Sequence, residues 1–208
     1  MPSLLIHLAV GKKVNDKLCK KEEPFLTGCI APDLAKMVGI KREVSHFEDE
    51  EGNCHLDQFL NKYREYFNNE YVLGYYVHLY TDYLWYKYFT SEFMGEDYVI
   101  KKDGTKVKCI SENMEKLYIY NDYSNLNMDI INEYGLDLEF FHRNEYYSNN
   151  IIEEVPYDKM NILIDETIRY LTKKNYEQNF TFDFNDVKQF IDIIVDYIIA
   201  HLKEEKLI

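Results

Sequence analysis

The residues of this chain best suited to chemistry are two histidines, two aspartates and a third histidine spread over its first half. In GYYVHLYTD, His78 and Asp82 are four residues apart, a spacing that places them side by side on one helix face. His7 lies near the start, Asp33 in an APD turn, and His46 in the SHF that follows. Imidazole and carboxylate are the donors that zinc takes in hydrolytic sites. Convergence of the five would make a metal-dependent hydrolase.

Singly, three of these residues have ordinary explanations. His7 falls on a helix whose apolar side faces inward, where a lone histidine is usually a core or boundary residue. Asp33 after a proline is ordinarily a helix N-cap. His46 sits in a charged stretch expected to be a solvated loop. The His78–Asp82 pair differs, because Val72, Leu73, Val77, Leu79, Leu84 and Trp85 surround it in the most apolar helix of the chain. A carboxylate buried there needs a cation or hydrogen-bond donors. The competing explanation is a buried His–Asp hydrogen bond that only locks helices together. Gly74, one turn earlier, leaves room for a ligand or a close-packed helix.

The elements that must position these residues are helical. Ser3 is a candidate cap for a first helix to about Lys20. Pro24 suits the first turn of a short helix that stops at Pro32. Residues 38–53 are expected to form a long loop, followed by an amphipathic helix from Leu56 to Phe67 and a long apolar helix from about Glu70 to Phe93. Between Tyr98 and Ile110, two β-prone runs flank Asp103-Gly104, which predicts a hairpin with a two-residue type I′ turn. Helices follow over 111–134, over 138–146, after Pro156, and over 185–203, the last with a stripe of Phe190, Ile194, Val195, Ile198 and Leu202. The expected fold is all-α, one helical-bundle domain over residues 1–208, with a small β-hairpin excursion around 98–110.

Bulk properties narrow the function. The chain has 208 residues, 46% of them hydrophobic, which suffices for a substantial core. A net charge of −13 disfavours duplex nucleic acid, whose phosphates call for a basic face. Every apolar run is interrupted before the length of a membrane span, so no stable membrane insertion is expected. Cys19, Cys29, Cys54 and Cys109 form no CxxC pair and are expected to be thiols in a cytoplasmic protein.

The ordered elements H-x3-G at His7 and Gly11, G-x2-APD from Gly28 to Asp33, SH at His46, and GYYVHLYTD resemble the zinc-dependent phospholipase C family. The resemblance covers the N-terminal half, through about Trp85. It implies an all-α bundle of the type shared with S1/P1 nucleases, with metal held between helices. It further implies that Asp33, His46, His78 and Asp82 hold one Zn2+, that His7 and a bridging Asp82 hold a second, and that Asp33 is the general base. The family's processed N-terminal tryptophan has no counterpart in Met1-Pro2. Its further histidine after Asp82 falls among Tyr86, Lys87 and Tyr88, and its later H-x3-E pair is not matched by His142 with Glu145. One or two ions are therefore expected, acting on a small soluble phosphoester through metal-activated water. The alternative is a non-catalytic helical binding or metal-sensing protein with a vestigial cluster.

Overall fold

The computed structural model describes residues 2–95, 97–109, 112–137, 151–171 and 178–208. Helix α1 (Leu4–Leu18) starts where Ser3 Oγ accepts from the Ile6 amide, and ends where Cys19 turns into the left-handed region at φ 53°. Leu5, Ile6, His7, Leu8, Ala9 and Val10 are all buried, so both sides of its first half are covered by protein. Helix α6 (Glu70–Leu84) is buried in the same way along most of its length. A helix apolar all round belongs inside a core, and these two form the inner pair.

Helix α2 (Glu22–Gly28) lies directly on α6 because two glycines let the backbones touch. A methyl group at Gly28 would meet the Tyr71 carbonyl at 2.2 Å, and one at Gly74 would meet the Phe25 carbonyl at 2.0 Å. Gly74 thus makes room for a neighbouring helix. After α2 come a 3-10 turn (Ala31–Asp33), α3 (Leu34–Met37) and α4 (Arg42–His46). The expected loop over 38–53 therefore contains a helix. Its charged sequence hid a short element whose buried side is made by Ser45 and His46.

Helix α5 (Leu56–Tyr63) lays Phe59, Leu60 and Tyr63 against the core. The long apolar helix does continue to Phe93, but Trp85–Thr90 is wound as a π-helix before α7 (Ser91–Phe93). Strands β1 (Tyr98–Ile100) and β2 (Lys106–Lys108) pair antiparallel, Val99 opposite Val107. The hairpin is real but its turn is not type I′. The Gly104 amide donates to the Lys101 carbonyl, and positive φ occurs at Gly104 but not at Asp103. A type I turn closed by a left-handed glycine is the result, with Asp103 Oδ1 accepting from the Thr105 amide.

Helices α8 (Glu112–Tyr134), α9 (Met160–Leu171) and α10 (Phe184–Glu204) complete the bundle. A capping box of Asp183 and Asp186 opens α10, and all five residues of its expected stripe are buried. Asp122 on α8 accepts from the Phe180 and Thr181 amides at 2.7 Å, pinning the segment before α10 to the bundle. The helix expected over 138–146 lies outside the described residues. Among the described residues the fold is all-α apart from the hairpin, the buried apolar side chains other than Val99 form one contiguous cluster, and no helix is long and apolar enough to cross a membrane.

Candidate metal centre

The five residues singled out in the sequence meet between α1, α4, α6 and the turn before α3. His7 and His78 stack with ring centroids 3.7 Å apart and planes 9° from parallel. His78 Nε2 is 3.2 Å from His46 Nε2 and 3.9 Å from Asp82 Oδ2. His46 Nε2 is 3.6 Å from Asp33 Oδ1 and 3.7 Å from Asp82 Oδ2. His7 Nε2 lies 3.2 Å from Asp82 Oδ1. His7, His46, His78 and Asp82 are all at most 2% exposed. His46 is therefore a buried residue and not a solvated one, because α4 turns it inward.

Backbone and side-chain partners fix the orientation of two rings. His78 Nδ1 is 2.8 Å from the Cys29 carbonyl, an acceptor only, so Nδ1 carries the hydrogen and Nε2 presents a lone pair to the cluster. His46 Nδ1 faces Ser45 Oγ at 2.8 Å, and Ser45 Oγ donates to the Arg42 carbonyl. His46 Nε2 in turn accepts from Arg42 Nη1 at 2.8 Å. These assignments follow from the partners. Outer hydrogen bonds of this kind hold metal-binding imidazoles in place. Tyr75 Oη donates to the Ser45 carbonyl at 2.6 Å, tying α4 to α6.

Asp33 sits at the N-cap position of α3, yet its side chain makes no cap hydrogen bond. It is directed at His46 instead. Burial works to raise its pKa, but the surrounding imidazoles, His46 at 3.6 Å foremost, outweigh this and hold it below the usual carboxylate range. Asp82 is likewise held well below that range against the effect of burial, by its contact with His7 and by the charge of Arg42. Burial, reinforced by His7, depresses His78 to about 3, so its imidazole is neutral at physiological pH. Neutral imidazole and ionised carboxylate are the forms that bind metal.

The donor set fits a divalent cation on several counts. His7, Asp33 and His78 form one group whose ligand atoms lie within 4.8 Å of one another, and His46, His78 and Asp82 form another. Two nitrogens bound at about 2.0 Å to one tetrahedral ion stand roughly 3.3 Å apart, close to the 3.2 Å between His46 and His78. His7 Nε2 and Asp82 Oδ1 meet at 3.2 Å without the alignment of a hydrogen bond, and His7 Nδ1 has no hydrogen-bond partner among the described residues, a costly state that a bound cation would relieve. The two oxygens of Asp82 also face different ways, Oδ1 to His7 and Oδ2 to His46 and His78. Mixed imidazole and carboxylate donors suit zinc.

Two residues of the cluster were not singled out in the sequence. Arg42 Nη2 lies 2.5 Å from Asp82 Oδ2, while its Nε and Nη2 hold Glu48 at 2.8–3.1 Å. A helical reading of KREVSH would have exposed Arg42, which stands one turn before His46. Glu48 carries no such periodic signal, because Phe47 ends the helix at φ 54°. Family models, curated proteins and solved structures were compared with the chain, and none matches.

Proposed function

We propose that the chain is a divalent-metal hydrolase, with zinc as its ion, that cleaves a small phosphoester. The observation that carries this reading is the convergence of the His46 and His78 Nε2 lone pairs beside Asp82, whose other oxygen faces the buried His7. A bound ion supplies a Lewis acid for a phosphoryl oxygen and a water with a pKa of roughly 7. The chain's own residues do the rest. Cys29 and Ser45 fix the rings of His78 and His46. Asp33, the most accessible carboxylate of the cluster, takes the proton of the attacking water. The water oxygen bonds to phosphorus, the ester oxygen leaves with its electron pair, and the proton held at Asp33 passes to it. Arg42, anchored by Glu48, places a guanidinium where the phosphoryl group gathers negative charge.

A second reading rests on Arg42 itself. Its contacts with Asp82 and His46 already supply a cation to the cluster, as in a helical binding protein whose site no longer takes metal. The deciding experiment is hydrolysis of bis-p-nitrophenyl phosphate by chelator-treated protein before and after zinc is restored. The hydrolase reading requires activity that returns with zinc and falls about 10²- to 10⁴-fold in Asp33→Asn at saturating zinc. Protein that takes up no zinc and stays inactive supports the second reading.

A further inference from the structure

Beside Asp33 opens a cavity of about 430 Å3, bounded by the start of α1, by α3 and by facing sides of α8 and α9. Its walls are mostly apolar, with Leu4, Leu5, Met37 and Ile162 among them. The polar groups in the wall differ in how they are used. Thr167 and Ser124 spend their hydroxyls on the carbonyls of Leu163 and Tyr120. Glu166 is paired with Arg169. Asn127 is only 8% exposed, and its amide has no hydrogen-bond partner among the described residues. An amide in a mostly apolar wall is the kind of polar group that orients a ligand in such a pocket. Lys36 stands exposed beside Asp33 with no ion pair to a described carboxylate.

We propose that this cavity seats the alcohol half of the substrate as a single compact, ring-bearing group. Its edge offers Asn127 both a hydrogen-bond donor and an acceptor, and the phosphoryl group lies over Asp33 within reach of Lys36. The phosphoryl half of the proposal rests on the hydrolase reading above; the ring half does not. The volume falls near the lower end of small-molecule pockets, matching one ring system and too small for a two-chain lipid. An amide has two donors and two acceptor sites, which select a ring with a mixed polar edge over a plain hydrocarbon.

The test uses benzamide, a neutral ring with a carboxamide edge, added to the chelator-treated full chain. Methyl NMR signals of Leu4, Leu5 and Ile162 report the cavity. The expected result is saturable binding that weakens about ten-fold or more in Asn127→Leu. Ile162→Trp, altered at the partly exposed rim, should abolish binding with no change in melting. Absence of saturable shifts in the wild type, or unchanged affinity in both variants, overturns the proposal. Phenyl phosphate and methyl phosphate separate the two claims in zinc-restored protein. Benzamide binding without hydrolysis of either ester leaves the cavity standing and removes the hydrolase. Equal kcat/KM for the two esters, unaffected by Ile162→Trp, removes the cavity as substrate site and leaves the hydrolase.

Discussion

His46 and His78 point Nε2 at Nε2 across 3.2 Å, and the partners of their Nδ1 atoms make both Nε2 atoms acceptors. Two facing lone pairs repel unless a cation lies between or beside them. The Arg42 guanidinium meets one of them and Asp82, but His7 and Asp82 Oδ1 meet without a hydrogen bond. Zinc should therefore stabilise the protein. At a free concentration 100 times Kd the gain is about 2.7 kcal/mol, and a chelator should reverse it. His46→Ala should lose most of the thermal shift while keeping its fold. An equal shift in that variant would remove His46 from the ligand set.

Arg42 competes with a metal for the same two atoms. Arg42→Met keeps the length of the side chain and removes the charge. In the metal-free protein this leaves Asp82 without its cation, which should cost about 1–3 kcal/mol after allowing for the partial exposure of Arg42. Calorimetric titration should at the same time show zinc bound more tightly than by the wild type. Weaker zinc binding in Arg42→Met would mean that Arg42 supports the metal instead of opposing it.

The pH dependence of the metal-free protein follows from His78. Its folded pKa of about 3 lies below the ordinary value of 6.5, so the unfolded chain binds the extra proton first as pH falls. Stability from this group is present above pH 6.5 and is lost progressively as pH falls from there towards 3. Denaturant midpoints measured from pH 7.5 to 4.5 should fall. His78→Asn, whose amide can still donate to the Cys29 carbonyl, should flatten that slope. A wild-type midpoint that holds or rises over this range would contradict the neutral, buried imidazole.

The strong periodic signals of the sequence account for most of the fold. The α10 stripe and the Ser3 cap depend on local spacing and capping, and both are where the sequence places them. The His78–Asp82 pair was legible for the same reason, since i and i+4 meet on any helix. The burial of His46 was not legible, because α4 is one turn long and only its packing under Tyr75 turns Ser45 and His46 inward. The Asp103-Gly104 turn misled because the dipeptide also serves a type I turn with a left-handed glycine, and strand register decides between them. Arg42 and Asp122 were missed because their partners, Asp82 and the Phe180–Phe182 amides, lie far away in sequence.

The crossing of α2 and α6 shapes the candidate metal centre, because the same contact delivers the Cys29 carbonyl to His78. Gly74→Ala would drive a methyl group into the Phe25 carbonyl, a backbone atom with no rotamer to yield. A loss of about 3 kcal/mol or more is expected, together with weaker zinc binding as α2 and its carbonyl are pushed away. Ala at Gly39, where the added carbon meets nothing within 4 Å, gives the comparison: its φ of 77° should cost about 1 kcal/mol and leave zinc affinity unchanged. Equal zinc affinity in both variants would separate the helix crossing from the site.

Anomalous diffraction at the zinc edge, from crystals of the chelator-treated full chain soaked in zinc, shows whether the ion sits among the side chains of His7, Asp33, His46, His78 and Asp82. A peak is expected within about 2.0–2.2 Å of His46 Nε2, His78 Nε2 and an oxygen of Asp82, with Arg42 withdrawn from Asp82. A difference map that keeps Arg42 on Asp82 and His46, with no anomalous peak between α1, α4 and α6, would contradict the metal reading.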